Sequence, residues 1–372
     1  MEFRSCTQPW FELQLMYDQV TRFCCYHDNI ELDGLDISEI WNSAPFQKVR
    51  REIASGDPTG TRCNNCGFVK YVETPSFLEI PHWVSGARLK NWKRALEHFK
   101  DGTAEIDSYP IKYYLQFGLA CNLRCRMCDH PTRFMGGENM LLNPLSLLDK
   151  PEFLKYGSSL HIIGGEPFLI PTAVEFLDKI AKRPDVVEIE VDFYTNAFLL
   201  HRFLEKLKPL QRVILTVSLD SFGESYERIR QRSNWERVSR NLLEFKEFAL
   251  KNDRPEWQIF IACVIMKSGI IELPKLVQWC VENDLPMHFV PVDNQTDVAR
   301  YEENIFVKPE LLDEVPGWRR SMADAIDIMQ SHQRHRTARL LEHLRDDLAQ
   351  NYASHKLMSW KNDAGLNPRM PI

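Results

Sequence analysis

The run Ile111-Lys-Tyr-Tyr-Leu-Gln-Phe-Gly-Leu-Ala-Cys121-Asn-Leu-Arg-Cys125-Arg-Met-Cys128 decides how the rest of the chain is read. Its opening half has the aromatic and aliphatic density of a β-strand, and three thiols follow directly at the spacing C-x3-C-x2-C. Three cysteines do not complete a tetrahedral four-ligand metal site. A cubane iron–sulfur cluster held by three thiolates, in contrast, leaves one iron open to an outside ligand. A zinc knuckle completed by His130 is the competing reading.

From this run onward, strand-like and helix-like segments alternate, the pattern of a parallel α/β arrangement. Strands are expected at 111–119, 159–163, 187–194, 212–219, 258–266 and 287–292, with helical stretches at 172–181, 200–207, 223–251 and 273–283. Six βα units instead of eight predict an α/β fold built on a partial (β/α)6 TIM-like barrel, open on one side. In such folds ligands sit at the C-terminal ends of the strands. Three polar runs fall there: Gly164-Gly165-Glu166-Pro167, Tyr194-Thr-Asn196-Ala197 and Ser218-Leu-Asp220-Ser221. A glycine pair lets backbone approach a ligand closely, and Glu166 can accept a hydrogen bond from a ligand ammonium. Ser218 and Asp220 share one side of an extended chain by its two-residue repeat. Each of these residues could equally serve an ordinary turn or cap.

Taken together, Cys121, Cys125 and Cys128 after the first strand and Gly164-Gly165-Glu166 after the second resemble the signature of the radical S-adenosylmethionine (radical SAM) enzymes. The resemblance implies a 4Fe–4S cluster whose open iron chelates S-adenosylmethionine (SAM), and cleavage of SAM to a 5′-deoxyadenosyl radical that abstracts hydrogen from a substrate. It also implies cofactor contacts by Met127, Gly164, Gly165, Glu166, Asn196, Ser218, Asp220 and Arg230, and an electron donor such as flavodoxin or ferredoxin. Two positions depart from the family pattern: Met127 stands where an aromatic residue is usual, and Ala197 where glycine often follows Thr-Asn. Methionine can still pack on an adenine face through its polarisable sulfur.

The first 80 residues read as a small cysteine-bearing module. Cys6-Thr-Gln-Pro-Trp10 leads into an alternating strand at 11–17 and a return strand ending Phe23-Cys24-Cys25, a hairpin with thiols at both ends. A helix is expected at 37–43, interrupted near Pro45 and resuming over 47–54, before Cys63-Asn-Asn-Cys66. This order is similar to the auxiliary-cluster modules of radical SAM enzymes called SPASM and twitch domains. By that resemblance Cys6, Cys24, Cys63 and Cys66 would hold a second, closed 4Fe–4S cluster. Cys25 could take the place of Cys24, since adjacent thiols on a strand point to opposite faces. A four-cysteine structural zinc site is the other reading of the same residues.

The remaining segments are less specific. An amphipathic linker helix is expected within 81–110, the barrel over 111–293, and a helical extension with a tail over 294–372. A net charge of −6 gives no electrostatic footprint for nucleic acid or an anionic membrane. No apolar run reaches a membrane span, and the start Met1-Glu-Phe-Arg-Ser-Cys6 has no apolar signal core, so a cytoplasmic protein is expected. Eight of the ten cysteines fall in the first 128 residues, which in a reducing compartment favours metal ligation over disulfides. Cys25 and Cys263 are the candidate thiols for returning a hydrogen atom to a substrate radical, which would give epimerisation. Electron transfer to an auxiliary cluster would instead give oxidation or cross-linking. The substrate, a small molecule or a peptide, is not legible, and a zinc-stabilised adaptor without catalysis is the alternative from another class.

Overall fold

The structure, a computed structural model, describes residues 6–16, 20–24, 30–31, 36–56, 78–128, 144–292 and 302–363. Cys25, Cys63, Cys66 and His130 lie outside the described residues. The framework is a nine-stranded sheet. Its strands in chain order are β1 (Glu12–Leu15), β2 (Val20–Arg22), β3 (Ile30–Glu31), β4 (Lys112–Gln116), β6 (Ser159–Ile163), β7 (Glu190–Thr195), β8 (Arg212–Ser218), β10 (Trp257–Ile265) and β11 (Met287–Pro291). Two further short strands, β5 (Arg124–Cys125) and β9 (Arg230–Gln231), pair only with each other.

Across the sheet the order is β11-β10-β8-β7-β6-β4-β1-β2-β3. The six strands from β4 to β11 run parallel, each joined to the next by a helical crossover, the arrangement of a partial TIM-like barrel. The sheet does not stop at β4. Strand β1 adds to it in parallel, Glu12 opposite Lys112 and Leu15 opposite Leu115, and β2 and β3 continue outward as antiparallel neighbours. The N-terminal hairpin is therefore part of the barrel sheet.

Side chains alternate as strand geometry requires. Val213, Leu215 and Val217 of β8 and Ile259, Ile261, Cys263 and Ile265 of β10 point outward into one continuous apolar core shared with the helices. The alternate positions face the inside of the barrel and are largely polar: Gln116, His161, Asp192 and Thr216 are all buried there. The helices Trp318–Ser331 and His335–Asp363 add Trp318, Met322, Ile326, Leu341 and Leu344 to the same core.

Three expectations are corrected. The chain enters the N-terminal sheet through a helical turn, Gln8–Phe11, so the strand is confined to Glu12–Leu15. Pro45 does not interrupt a helix but opens one, Ala44–Ser55, because proline is tolerated in a first turn whose N–H groups have no partner anyway. The helical stretch over 223–251 is broken into Gly223–Ile229 and Trp235–Lys251. Between them Arg230–Gln231 is extended and Arg232 takes a left-handed φ of 71°, before Asn234 caps the second helix by accepting from Arg237 N at 2.9 Å.

Candidate active site at the C-terminal ends of the strands

Beyond β4 the chain runs through Phe117–Ala120 in an irregular loop that carries Cys121, Cys125 and Cys128, all half-buried and unpaired by disulfide. Two sets of contacts hold this loop. On one side Arg124–Cys125 pairs with Arg230–Gln231, and Arg126 N donates to Ile229 O at 2.9 Å. On the other side the turn after β6 packs directly beneath it: Gly165 N donates to Gly118 O at 3.0 Å and Glu166 N to Ala120 O at 2.8 Å. A Cβ on Gly164 would lie 2.3 Å from Gly118 O, and one on Gly165 2.1 Å from Ala120 O. Glycine at both positions is what lets the two loops touch, and Gly164 also has a φ of 130°.

Glu166, expected to accept from a ligand ammonium, is instead fully buried and joins three strand ends. Its carboxylate accepts from Thr195 Oγ1 at 2.7 Å, Asn196 N at 2.9 Å and Phe168 N at 3.3 Å. Burial pushes its pKa up to about 7 against the pull of those donors. Asn196 continues the chain of contacts, its Nδ2 donating to Asn122 Oδ1 at 3.0 Å and lying 3.7 Å from Cys121 Sγ. Ala197 follows with a left-handed φ of 56° while fully buried.

Asp220 is buried just past the end of β8. Its Oδ2 takes Arg230 Nε at 2.8 Å and Nη2 at 2.7 Å, and its Oδ1 takes Val264 N at 3.0 Å. The remaining Nη1 of Arg230 reaches Cys125 Sγ at 3.6 Å. Ser218 is half-buried at the end of β8 and makes no hydrogen bond through its side chain among the described residues. Met127 lies with Ile229, Met266 and Val292 in a small apolar cluster that Cys125 and Val264 border.

The sequence-expected residues thus fall into two groups. Cys121, Cys125, Cys128, Met127, Gly164, Gly165, Glu166, Asn196, Asp220 and Arg230 form one connected set around the cysteine loop. Cys263 sits fully buried on the outward, helix-covered face of β10, whereas its neighbour Val264 borders the site. Cys6 and Cys24 belong to the N-terminal core, half-buried and buried respectively. Three residues were not singled out beforehand. Thr195 and Asn122 lie inside motifs already noted and are identified only by their partners. Glu303, from the C-terminal extension, is 1% exposed, pairs with Arg126 at 3.2 Å, and accepts from Ser268 N at 2.9 Å and Oγ at 2.7 Å. No local pattern marks it.

In chemistry, three thiols on one loop are the donor type an iron–sulfur cluster takes. Burial raises the Cys121 thiol and pushes Cys125 up to about 12, so bare thiolates need a compensating positive charge; Arg230 supplies part of it, and metal ions would supply the rest. Asn122 Nδ2 is buried without a hydrogen-bond partner among the described residues. Among the described residues, no three His, Cys, Asp or Glu side chains are grouped closely enough to hold a metal ion.

The family profile described as the radical SAM superfamily matches residues 115–268. This segment is a radical SAM domain. It spans β4 to the loop after β10 and contains every residue of the connected set. The chain is 28% identical over 201 residues to a probable GTP 3′,8-cyclase of Methanococcus aeolicus, covering 51% of this chain and 64% of that protein. It is 25% identical over 184 residues to molybdenum cofactor biosynthesis protein 1 of Dictyostelium discoideum, covering 48% of this chain and 28% of that one. These matches therefore span less than two thirds of either relative's length. Among solved structures, Streptococcus suis SuiB bound to S-adenosylmethionine is similar with a TM-score of 0.44 and 16% identity, covering 82% of this chain and 68% of that one. A radical SAM domain implies one 4Fe–4S cluster and SAM. No helix among the described residues is long and apolar enough to cross a membrane.

Proposed function

We propose that this protein is a radical SAM enzyme that binds a 4Fe–4S cluster through Cys121, Cys125 and Cys128 and abstracts hydrogen from its substrate. The observation that carries the reading is the contact between the three-thiol loop and the Gly164–Glu166 turn inside the matched domain. When bound, the cluster and SAM supply the electron and the 5′-deoxyadenosyl radical.

The chain's own residues have separable tasks. Cys121, Cys125 and Cys128 provide three thiolates, and Arg230, held by Asp220, stabilises negative charge on Cys125. Gly164 and Gly165 let this turn touch the cysteine loop, and their carbonyls would meet the ammonium of SAM. Glu166 acts through Thr195 and Asn196 to fix the strand ends, and Asn196 and Ser218 offer hydrogen bonds to the ribose or carboxylate of SAM. Met127 closes the apolar side of the loop next to the adenine.

A second, auxiliary 4Fe–4S cluster on Cys6, Cys24, Cys63 and Cys66, with Cys25 as the substitute for Cys24, belongs to the same proposal. It rests on the ordered cysteines of residues 1–80. With it, oxidation, cross-linking or epimerisation of a small molecule or peptide are the available outcomes, and the relatives' names add cyclisation of a purine nucleotide. Deuterium transfer into 5′-deoxyadenosine from labelled candidates identifies the substrate, and the mass and stereochemistry of the product separate the outcomes.

Anaerobic reconstitution with iron and sulfide is expected to give a brown protein that binds SAM and, once reduced, releases 5′-deoxyadenosine and methionine. A colourless protein holding zinc and failing to bind SAM overturns the reading in favour of a non-catalytic adaptor.

A further inference from the structure

Three residues before Gly164, roughly 10 Å down strand β6, His161 points into the barrel. Nothing in the cysteine-loop site uses it. It stands in register with Tyr114 on β4 and Asp192 on β7. Its Nδ1 is hydrogen-bonded to Asp192 Oδ2, and Asp192 Oδ1 accepts from Thr216 Oγ1 at 3.2 Å. The Tyr114 ring lies 4.2 Å from the imidazole, centroid to centroid, and the Tyr194 ring stands edge-on at 5.9 Å.

The protonation of this pair follows from its surroundings. Burial holds His161 below its usual value, so the ring is neutral near pH 7 although Asp192 opposes the shift. Burial acts to raise Asp192, but His161, Lys112 and Thr216 outweigh it and keep the group a carboxylate. A carboxylate can only accept, so Nδ1 carries the proton and donates it, and Nε2 is left with its lone pair. Nε2 has no hydrogen-bond partner among the described residues, and it is not among the sealed-off polar atoms. An oriented acceptor with an open lone pair therefore faces the barrel interior.

We propose that His161 Nε2 is a substrate-side hydrogen-bond acceptor, taking an alcohol O–H or amide N–H from a neutral polar substrate seated against Tyr114 and Tyr194. Asp192 and Thr216 are its positioning residues. An anionic group in the same place would meet a lone pair that offers it no proton, with the Asp192 charge behind the ring, while Lys112 and Glu190 oppose each other one layer below. The unprotonated Nε2 selects against a phosphate or carboxylate at this point. The inference rests on the radical SAM reading for the end from which substrate enters.

The test uses reconstituted holoenzyme labelled with 15N-histidine, with His161 identified by the signals lost in His161→Gln. Long-range proton–nitrogen correlation is expected to show a protonated Nδ1 and an unprotonated Nε2. The Nε2 signal should move on adding millimolar myo-inositol or N-acetylalanine amide and stay unmoved with GTP. In Asp192→Asn the tautomer should become mixed, which checks the pair independently of the His161 variant. A protonated Nε2 in the wild type, a signal that neither neutral probe moves, or one that GTP alone moves, overturns the inference. SAM binding by the same wild-type sample is measured in parallel: with SAM bound, a negative result sinks this assignment alone, and without SAM binding the radical SAM reading fails as well.

Discussion

The protein presents thiols in two settings. The loop over Cys121–Cys128 is held from both sides by backbone hydrogen bonds, a two-residue strand pair and a buried Arg230–Asp220 ion pair, and its sulfurs remain half-exposed. Cys6, ahead of the helical turn, and Cys24, just past β2, pack into the apolar core, in the same cluster as Trp10, Phe11 and Phe23. In the first setting backbone contacts fix the loop that carries the three sulfurs, whereas in the second the thiols are part of the apolar packing itself. Cysteine count alone does not distinguish the two settings.

The largest effect expected from this contrast is at Cys125. Cys125→Ala should lose the cluster of the radical SAM domain and reduce reductive SAM cleavage to background, measured as 5′-deoxyadenosine released. Next comes the support beneath it. Arg230→Gln strands the buried Asp220 carboxylate and should cost about 3–5 kcal/mol of stability in denaturant titration; a loss below about 1 kcal/mol would mean that the pair is hydrated. In the N-terminal region Cys24→Ala should lower bound iron by about half if four thiolates there hold a second cubane. Unchanged iron would assign Cys24 to the core and leave Cys25 as the ligand of any second cluster.

Glu12 sharpens the same comparison through pH. Burial pushes its pKa up to about 7 from the ordinary 4.5, against the pull of Lys112 and Gln14. The folded state therefore holds a proton that the unfolded state releases first, so stability falls as pH rises from 4.5 to 7, and the full cost is present above 7. Glu12→Gln removes that step, flattening the profile by one proton and gaining on the order of 3 kcal/mol above pH 7. The smallest effect is at Ala197, where glycine relieves the left-handed backbone by about 1 kcal/mol but gives up a buried methyl worth about as much: Ala197→Gly should leave the melting temperature nearly unchanged.

Much of the barrel was legible because its signals are local. The alternation of strand-like and helix-like segments placed all six strands from β4 to β11, and the cysteine spacing with the Gly164–Gly165 pair picked out two loops that touch. What escaped is long-range. Nothing near Arg230 announces Asp220 or Cys125 as its partners, and the helical pattern of 223–251 runs unbroken through the very residues that leave the helix to meet them. The inward polarity of His161 and Asp192 was likewise hidden, since either residue alone in a strand reads as a solvated position.

The parallel pairing of β1 with β4 joins residues 100 positions apart, Glu12 to Lys112. Synthesis at about 5–20 residues per second keeps the partner strand away for roughly 5–20 s after β1 emerges. Throughout that interval Leu13 and Leu15, which the finished sheet buries completely, have no barrel to cover them. Strand β1 is thus made well before the strand it pairs with, and a nascent chain stalled before Lys112 exposes a strand edge that a chaperone, or another copy, can capture.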